Sequence, residues 1–146
     1  MTGSSGDLEI PEPPAGFRLM EGRGHFSSHI GPYFYQEGLE TGAGQAFFAL
    51  DRHANGLGLV HGGMLTAFMD GLLAAAVFRE TRKISVTIHL SVDFLYMARV
   101  GEWVFGESRV TRATRDVAFV EGRAFVGRHD VVRASGVFKL MQKRTE

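Results

Sequence analysis

The spacing of apolar residues changes once along the chain, and the change separates a helical part from a strand-rich part. From about Gly62 to Glu80 apolar residues recur at three- and four-residue steps, which is the period of an α-helix. They are Leu65, Phe68, Met69, Leu72, Leu73, Ala76 and Val77. The run from Leu72 to Phe78 is apolar on almost every side, so we expect this helix to be buried on more than one face.

After Lys83 the period becomes two. Apolar and polar residues alternate from Val86 to Tyr96, which predicts a strand there. Three more strands are predicted over residues 102–113, 116–127 and 131–142, separated by turns at 114–115 and 127–130.

Before the helix, residues 32–37 and 45–50 are predicted as two strands joined by a turn over residues 38–44. Residues 17–30 could form a short helix, although Gly22 and Gly24 weaken that prediction. The order is then two strands, one long helix and four strands. This order predicts an α+β fold in which one long central helix is wrapped by an antiparallel sheet of about six strands. Residues 1–16 are expected to be a flexible N-terminal tail, and residues 17–146 a single domain.

Composition narrows the function classes. The 146 residues include 16 basic and 16 acidic side chains and no cysteine. Without a basic run there is no reason to expect nucleic-acid binding. The absence of cysteine excludes disulfides, cysteine zinc sites and a cysteine nucleophile. The polar start of the chain does not resemble a secretory signal, and Leu72 to Phe78 is too short to span a bilayer. We therefore expect a cytoplasmic protein with no membrane partner.

The densest candidate chemistry lies between His53 and Asp70. A glycine-rich loop carrying Asn55 leads into His61-Gly62-Gly63, where the helix begins. First-turn N–H groups have no partner inside a helix, and a residue without a side chain lets a ligand reach them. Gly62 is therefore a candidate oxyanion donor, with the helix dipole behind it. The alternative is that the two glycines only allow tight packing.

Asp70 is a carboxylate among apolar helical neighbours. Aspartate is disfavoured inside a helix and is rarely buried unless it is paired. One interpretation is that Asp70 points to solvent or bonds to Thr66, one turn earlier. The other is that Asp70 is a general base or a nucleophile, a role that desolvation of a carboxylate favours.

The spacing of these two groups has a consequence for assembly. Gly62 and Asp70 are eight residues apart, so they lie roughly 12 Å apart along the helix axis at about 1.5 Å per residue. One reacting carbonyl cannot touch both. If both act on one substrate they must come from different chains, which predicts a dimer with two shared sites.

These motifs resemble the hotdog-fold acyl-CoA thioesterases of the PaaI (phenylacetate-degradation) type, in the 4-hydroxybenzoyl-CoA thioesterase-like superfamily. The resemblance covers roughly residues 31–140. It rests on His53-x-Asn55, the Gly-x-x-His61-Gly62-Gly63 run, Asp70, the strand over residues 86–95 and the closing segment 134–140. One departure is Met97, where relatives often have proline. The resemblance implies hydrolysis of an acyl- or aryl-acyl-CoA to a free acid and CoA.

The resemblance also implies roles for individual residues. Asn55 would hold the thioester or order water, and the N–H of Gly62 would polarise the thioester carbonyl. Asp70 would be the base or nucleophile, and Thr87 matches the family's Ser/Thr position that helps to orient water. His61 and Gly63 are carried over as substrate-binding positions, with a structural role for His61 as the favoured alternative.

The remaining expectations concern partners. Arg115 is the arginine we expect to meet the CoA phosphates. No metal and no cofactor are expected, because CoA is part of the substrate, and His25 and His29 lack a third metal ligand. The resemblance implies a homodimer that assembles into a homotetramer. Two alternatives stay open: a hotdog dehydratase, whose Asp…His signature is not found here, and a non-catalytic acyl-CoA-binding or sensor protein.

Overall fold

A computed structural model describes residues 8–36 and 44–142 of the chain. Its strands are β1 (Phe17–Leu19), β2 (Tyr33–Gln36), β3 (Gln45–Phe48), β4 (Ser85–Phe94), β5 (Trp103–Ala113), β6 (Val117–Val126) and β7 (His129–Leu140). Its helices are α1 (His25–Ile30), a short 3-10 turn (Asp51–His53) and α2 (Gly62–Thr81). All strand pairs are antiparallel, and the order across the sheet is β1-β2-β3-β5-β6-β7-β4.

The predicted α+β architecture is confirmed, with one long helix against one antiparallel sheet, which is the hotdog arrangement that the resemblance implied. The structure refines two details of the prediction. The short helix that residues 17–30 could form is His25–Ile30, and Phe17 to Leu19 instead pairs with β2 as a strand. The described sheet therefore has seven strands rather than about six. Most of the predicted turn over residues 38–44 lies outside the described residues.

The core forms around α2. All seven apolar positions predicted to line the helix are buried, and they pack against the sheet with Phe47, Val104, Val120 and Phe138. By length and hydropathy α2 would also qualify as a membrane span, and 44% of that window is buried inside the fold. The part of α2 that the sheet leaves open contains Ala67, Asp70 and Phe78.

Glycines in the sheet allow the helix to lie close to it. A Cβ added at Gly106 would be 2.8 Å from Leu72 Cδ2 and 2.9 Å from Phe68 Cε2. A Cβ added at Gly122 would be 2.9 Å from Leu73 Cδ2 and 2.9 Å from the carbonyl oxygen of Glu107. A Cβ at Gly122 would collide with backbone, so the observed packing requires glycine there, whereas a Cβ at Gly106 would force the Leu72 and Phe68 side chains to shift.

Strand β4 does not alternate strictly as predicted. Its pairing with β7 shifts register between Thr87 and His89, which marks a β-bulge at Ile88. Thr87 pairs with the buried Phe138, and Leu90 pairs with Gly136, two residues earlier on β7. Thr87 and Leu90 therefore both lie on the helix-facing side of the sheet, although they are three residues apart in sequence. Strict alternation would have turned Thr87 to the opposite face from Leu90. The bulge changes the face, as bulges commonly do beside functional sites.

Strand β4 is also an edge. Nine of its ten residues pair with β7 on one side, and no other described strand pairs with the second side. Several large apolar side chains on β4 and beside it are exposed: Ile84, Val86, Ile88, Phe94, Leu95, Tyr96 and Met97. A long apolar edge is a template for pairing with another strand.

The close seating of α2 can be tested at Gly122. We expect Gly122→Ala to lower the free energy of unfolding by about 1–3 kcal/mol, because the methyl group overpacks a contact with rigid backbone. Urea denaturation of both proteins measures this. Gly56→Ala is the control, since nothing lies within 4 Å of a Cβ at Gly56. A loss as large in the control would contradict the packing explanation.

Candidate active site

Asn55 organises the loop that precedes α2. Its side-chain oxygen Oδ1 accepts hydrogen bonds from the N–H groups of Leu57 at 2.8 Å and Leu59 at 3.2 Å. Its backbone N–H donates to the carbonyl of Leu59 at 2.8 Å. Within the described part of the chain, the Asn55 Nδ2 amide has no protein acceptor. The loop is therefore held by the oxygen of Asn55, and the amide group is left for another partner.

The buried His53 fixes the base of this loop. Its Nδ1 accepts from the N–H of Leu50 at 3.0 Å, and its Nε2 lies 2.5 Å from the carbonyl oxygen of Ile30, the last residue of α1. These partners require the neutral tautomer with the proton on Nε2. Arg52 donates to the carbonyl of Gly31 beside it. The loop is thus anchored to the end of α1.

His61 and Gly63 form a helix cap. The Nδ1 atom of His61 accepts a hydrogen bond from the N–H of Gly63 at 2.7 Å, which satisfies one orphan donor of the first turn. A Cβ at residue 63 would be 2.9 Å from that nitrogen, so the cap requires glycine there. The contact gives His61 a structural role. A direct role in substrate binding stays a prediction.

The cap leaves the N–H of Gly62 unused. No described group accepts from it, and it lies at the positive end of α2. The Phe94 ring lies beside it, 3.4 Å from where a Cβ at Gly62 would be. Sequence analysis missed Phe94 as a site residue; the only signal was an aromatic residue at the end of a strand. Gly62 can therefore donate to an oxygen that approaches along the half-exposed Phe94.

Asp70 is paired with Thr87 across the gap between α2 and β4. The hydroxyl of Thr87 donates to Asp70 Oδ1 at 2.6 Å. The alternative partner proposed from sequence, Thr66, instead donates to the carbonyl of Gly62 at 2.7 Å. Asp70 is half-buried, and its Oδ2 has no hydrogen-bond partner within the described residues. One carboxylate oxygen is thus held in place and the other is available for chemistry.

The structure brings only some of the predicted residues together. Asn55, His61, Gly62 and Gly63 surround the start of α2, and Asp70 with Thr87 lies two turns farther along. Arg115 is not near either group. It lies beside Lys83 and Gln142, which both donate to its carbonyl, beyond the other end of α2. The described residues contain no cluster of three or more His, Asp or Glu that could hold a metal.

Comparisons with known proteins find one matching family and a similar curated protein. The profile of the thioesterase superfamily matches residues 57–132. The Pseudomonas aeruginosa protein "Putative esterase PA0474" is 34% identical over 129 residues, which are 87% of this chain and 96% of that protein.

Solved structures share the fold. A phenylacetic acid degradation-related protein of Ralstonia eutropha JMP134 has a TM-score of 0.70 and 25% identity, over 78% of this chain and 88% of its own. The Streptococcus mutans UA159 protein smu.793, solved bound to acetyl CoA, has a TM-score of 0.67 and 17% identity. That match covers 76% of this chain and 90% of the other.

The capping role of His61 predicts a stability effect. His61→Ala should lower the free energy of unfolding by about 0.5–2 kcal/mol, because the N–H of Gly63 loses its acceptor. His61→Asn should restore most of that loss, since asparagine is a good N-cap. Urea denaturation of the three proteins provides the comparison. If alanine and asparagine variants are equally stable, the cap contributes nothing measurable.

Proposed function

Because the chain belongs to the thioesterase superfamily, we propose that it hydrolyses the thioester of an acyl- or aryl-acyl-CoA to a free acid and CoA. The observation that carries the proposal is the 2.6 Å hydrogen bond that holds Asp70 on Thr87 and leaves its second oxygen open. The acetyl CoA bound by the Streptococcus mutans protein supports this substrate class. CoA is part of the substrate, and the proposed reaction requires no metal or further cofactor.

In this proposal, the N–H of Gly62 donates to the thioester carbonyl oxygen. One such donor is worth about 2.7–4 kcal/mol at a transition state. Asp70 either removes a proton from the attacking water or attacks the carbonyl carbon itself, in which case water then cleaves the acyl-aspartate. A carbon–oxygen bond forms, the carbon–sulfur bond breaks, and the sulfur leaves as the CoA thiol. The Nδ2 amide of Asn55 is available to hold the thioester or the water.

We propose that the working unit is a homodimer formed through β4. Pairing β4 with a second copy would cover Ile84, Val86 and Ile88, which are 71%, 49% and 59% exposed. It would also satisfy the backbone groups on the free side of this strand. A two-fold axis there would set the two α2 helices antiparallel, so that Asp70 of one chain faces Gly62 of the other. Further assembly into a tetramer stays a prediction.

The same dimer arrangement assigns each site residue to one of the two chains. Thr87 stays with Asp70 in one chain, while Asn55 and Gly62 come from the partner. The roughly 12 Å along α2 between Gly62 and Asp70 is then no obstacle, because each site uses opposite ends of two helices. Arg115 lies beyond the far end of α2 from Gly62, so in a dimer it would approach the partner's loop rather than its own.

The activity itself is tested by incubating the protein with aromatic, short-chain and long-chain acyl-CoA esters and measuring free thiol. We expect turnover of at least one class. Tight binding of acyl-CoA without any release of thiol would contradict the proposal and would favour a binding or sensor protein.

Asp70→Asn should lower kcat by at least about 100-fold, the usual scale for a positioned base. The amide keeps the shape of the side chain and can still bond Thr87, so folding should be little changed. Asp93→Asn is the matched control, because the pairing register puts Asp93 on the face of β4 opposite Thr87. If Asp70→Asn retains most of the wild-type kcat, the assignment of the carboxylate is falsified.

The shared site predicts complementation. Asn55→Ala and Asp70→Asn proteins, each inactive, are refolded together. In a mixed dimer, one site contains both substitutions and the other site contains neither. Half of the dimers are mixed and half of their sites are intact, so activity should return toward about a quarter of wild type. If the chains mix and no activity returns, Asp70 and Asn55 do not act across the interface.

A further inference from the structure

The two faces of β4 differ in character beyond the bulge. Leu90 and Val92 lie on the helix-facing side and pack against the core. His89, Ser91 and Asp93 alternate with them on the outer face, and all three are exposed. None of these three side chains has a hydrogen bond or ion pair with another described residue. The outer face of β4 therefore carries polar groups that a neighbouring strand could bind.

The backbone groups on the open side of β4 come from alternate residues. The N–H of Leu95 donates to the carbonyl of Val131 on β7 at 2.8 Å. Along an antiparallel strand, successive residues turn their backbone groups to opposite sides. Counting back from there, residues 93, 91 and 89 also bond to β7, whereas the residues between them face the open side. Residue 91 would therefore occupy a non-hydrogen-bonded position in any pair formed on that side.

The shared site of the proposed dimer fixes where a second β4 would meet the first. Thr87 is bonded to Asp70, and Phe94 lies beside Gly62. If the carboxylate of one chain acts with the N–H of its partner, then Thr87 lies near Phe94 of that partner. A two-fold axis relates the two sites, so the axis must cross β4 halfway between these two strand residues.

Strand β7 gives the halfway point without the distortion of the bulge. The β7 partners of Thr87 and Phe94 are six residues apart, and the residue halfway between those partners is Ser135. Ser135 pairs with Ser91. In a two-fold pair of identical antiparallel strands, the residue on the axis lies opposite its own copy. The site geometry therefore puts Ser91 opposite Ser91 of the partner.

We propose, on the basis of the shared-site dimer of the proposed function, that two copies of the chain pair β4 with β4 in the one register that has Ser91 on the two-fold axis. In this register Asp93 of each chain lies opposite His89 of the other. An imidazole has an N–H donor in either protonation state, and a carboxylate accepts from it. Leu90 lies opposite Val92 of the partner, so apolar residues meet on the helix-facing side. Both faces of β4 thus match their own copies.

Neighbouring registers lose the match on the outer face. Moving the axis to Leu90 puts His89 opposite Ser91, and moving it to Val92 puts Asp93 opposite Ser91. Neither register pairs the acid with the imidazole. The arrangement of side chains along β4 therefore supports the register that was obtained from the positions of Thr87 and Phe94.

The test uses single cysteines, because the chain contains none of its own. Cα atoms in a non-hydrogen-bonded pair are about 4.5 Å apart, which is within the range of a disulfide. Ser91→Cys should therefore form a covalent dimer under mild oxidation, seen on a non-reducing gel. His89→Cys and Asp93→Cys are matched controls on the same face. Each would lie about 13 Å along the strand from its own copy, so neither should cross-link alone. The two proteins refolded together should cross-link with each other.

Exchange of the two polar groups tests their pairing. His89→Asp should raise the dissociation constant of the dimer about 10-fold, because it puts carboxylates opposite each other in two places. Adding Asp93→His to the same chain should restore the wild-type constant, since acid and imidazole again lie opposite. Asp93→Asn keeps an acceptor for the imidazole and should dimerise like the wild type. Sedimentation equilibrium measures all four proteins.

The outcomes separate this register from the proposed reaction. A wild-type dimer whose Ser91→Cys variant does not cross-link, or one that cross-links through His89→Cys alone, would overturn the register. An exchanged double variant as weak as His89→Asp would do the same. A wild-type chain that sediments as a monomer would overturn both the register and the shared site. A Ser91→Cys dimer that cross-links as expected but hydrolyses no acyl-CoA would support the register and contradict the reaction.

Discussion

The close packing of α2 on the sheet is the constraint on which the rest of the structure depends. Side chains of Phe68, Leu72 and Leu73 reach the strand backbone at Gly106 and Gly122, where any Cβ would be about 1 Å inside normal contact. Because the helix is held at this distance, the start of α2 and its middle have fixed positions relative to β4. Both candidate catalytic groups therefore sit on a helix that packs closely against the sheet, and catalysis depends on such precise positioning.

The backbone N–H groups in the first turn of α2 differ in whether they have an acceptor. His61 uses Nδ1 to satisfy the N–H of Gly63, and the N–H of Gly62 is left open. The loop before α2 is arranged similarly. The side-chain oxygen of Asn55 accepts hydrogen bonds from two backbone N–H groups, and its Nδ2 amide has no acceptor among the described residues. Residues that belong to one motif thus divide into structural and chemical roles, and one side chain can carry both. Substitutions at these positions need a stability measurement beside each activity measurement.

Along the described chain, the two groups of residues in the proposed site lie apart, and β4 leaves an apolar edge unpaired. The edge strand β4 carries Thr87 on its helix-facing side and ends at Phe94, beside Gly62. In the proposed dimer, one surface would therefore join both groups, and a partner that covers the edge would also complete the site. Such a partner would also cover Ile84 and Ile88, which the single chain leaves exposed.

The local pattern by itself determined the helix, six of the strands and the spacing of Gly62 and Asp70, because periodicity depends on neighbours along the chain. It could not determine the face of Thr87. Alternation turned Thr87 away from the helix, and only the bulge at Ile88, imposed by pairing with β7, brings it to Asp70. The pairing of Phe17 to Leu19 with β2 and the partner of Thr66 are likewise tertiary outcomes. Each depends on groups distant in sequence, which no local pattern records.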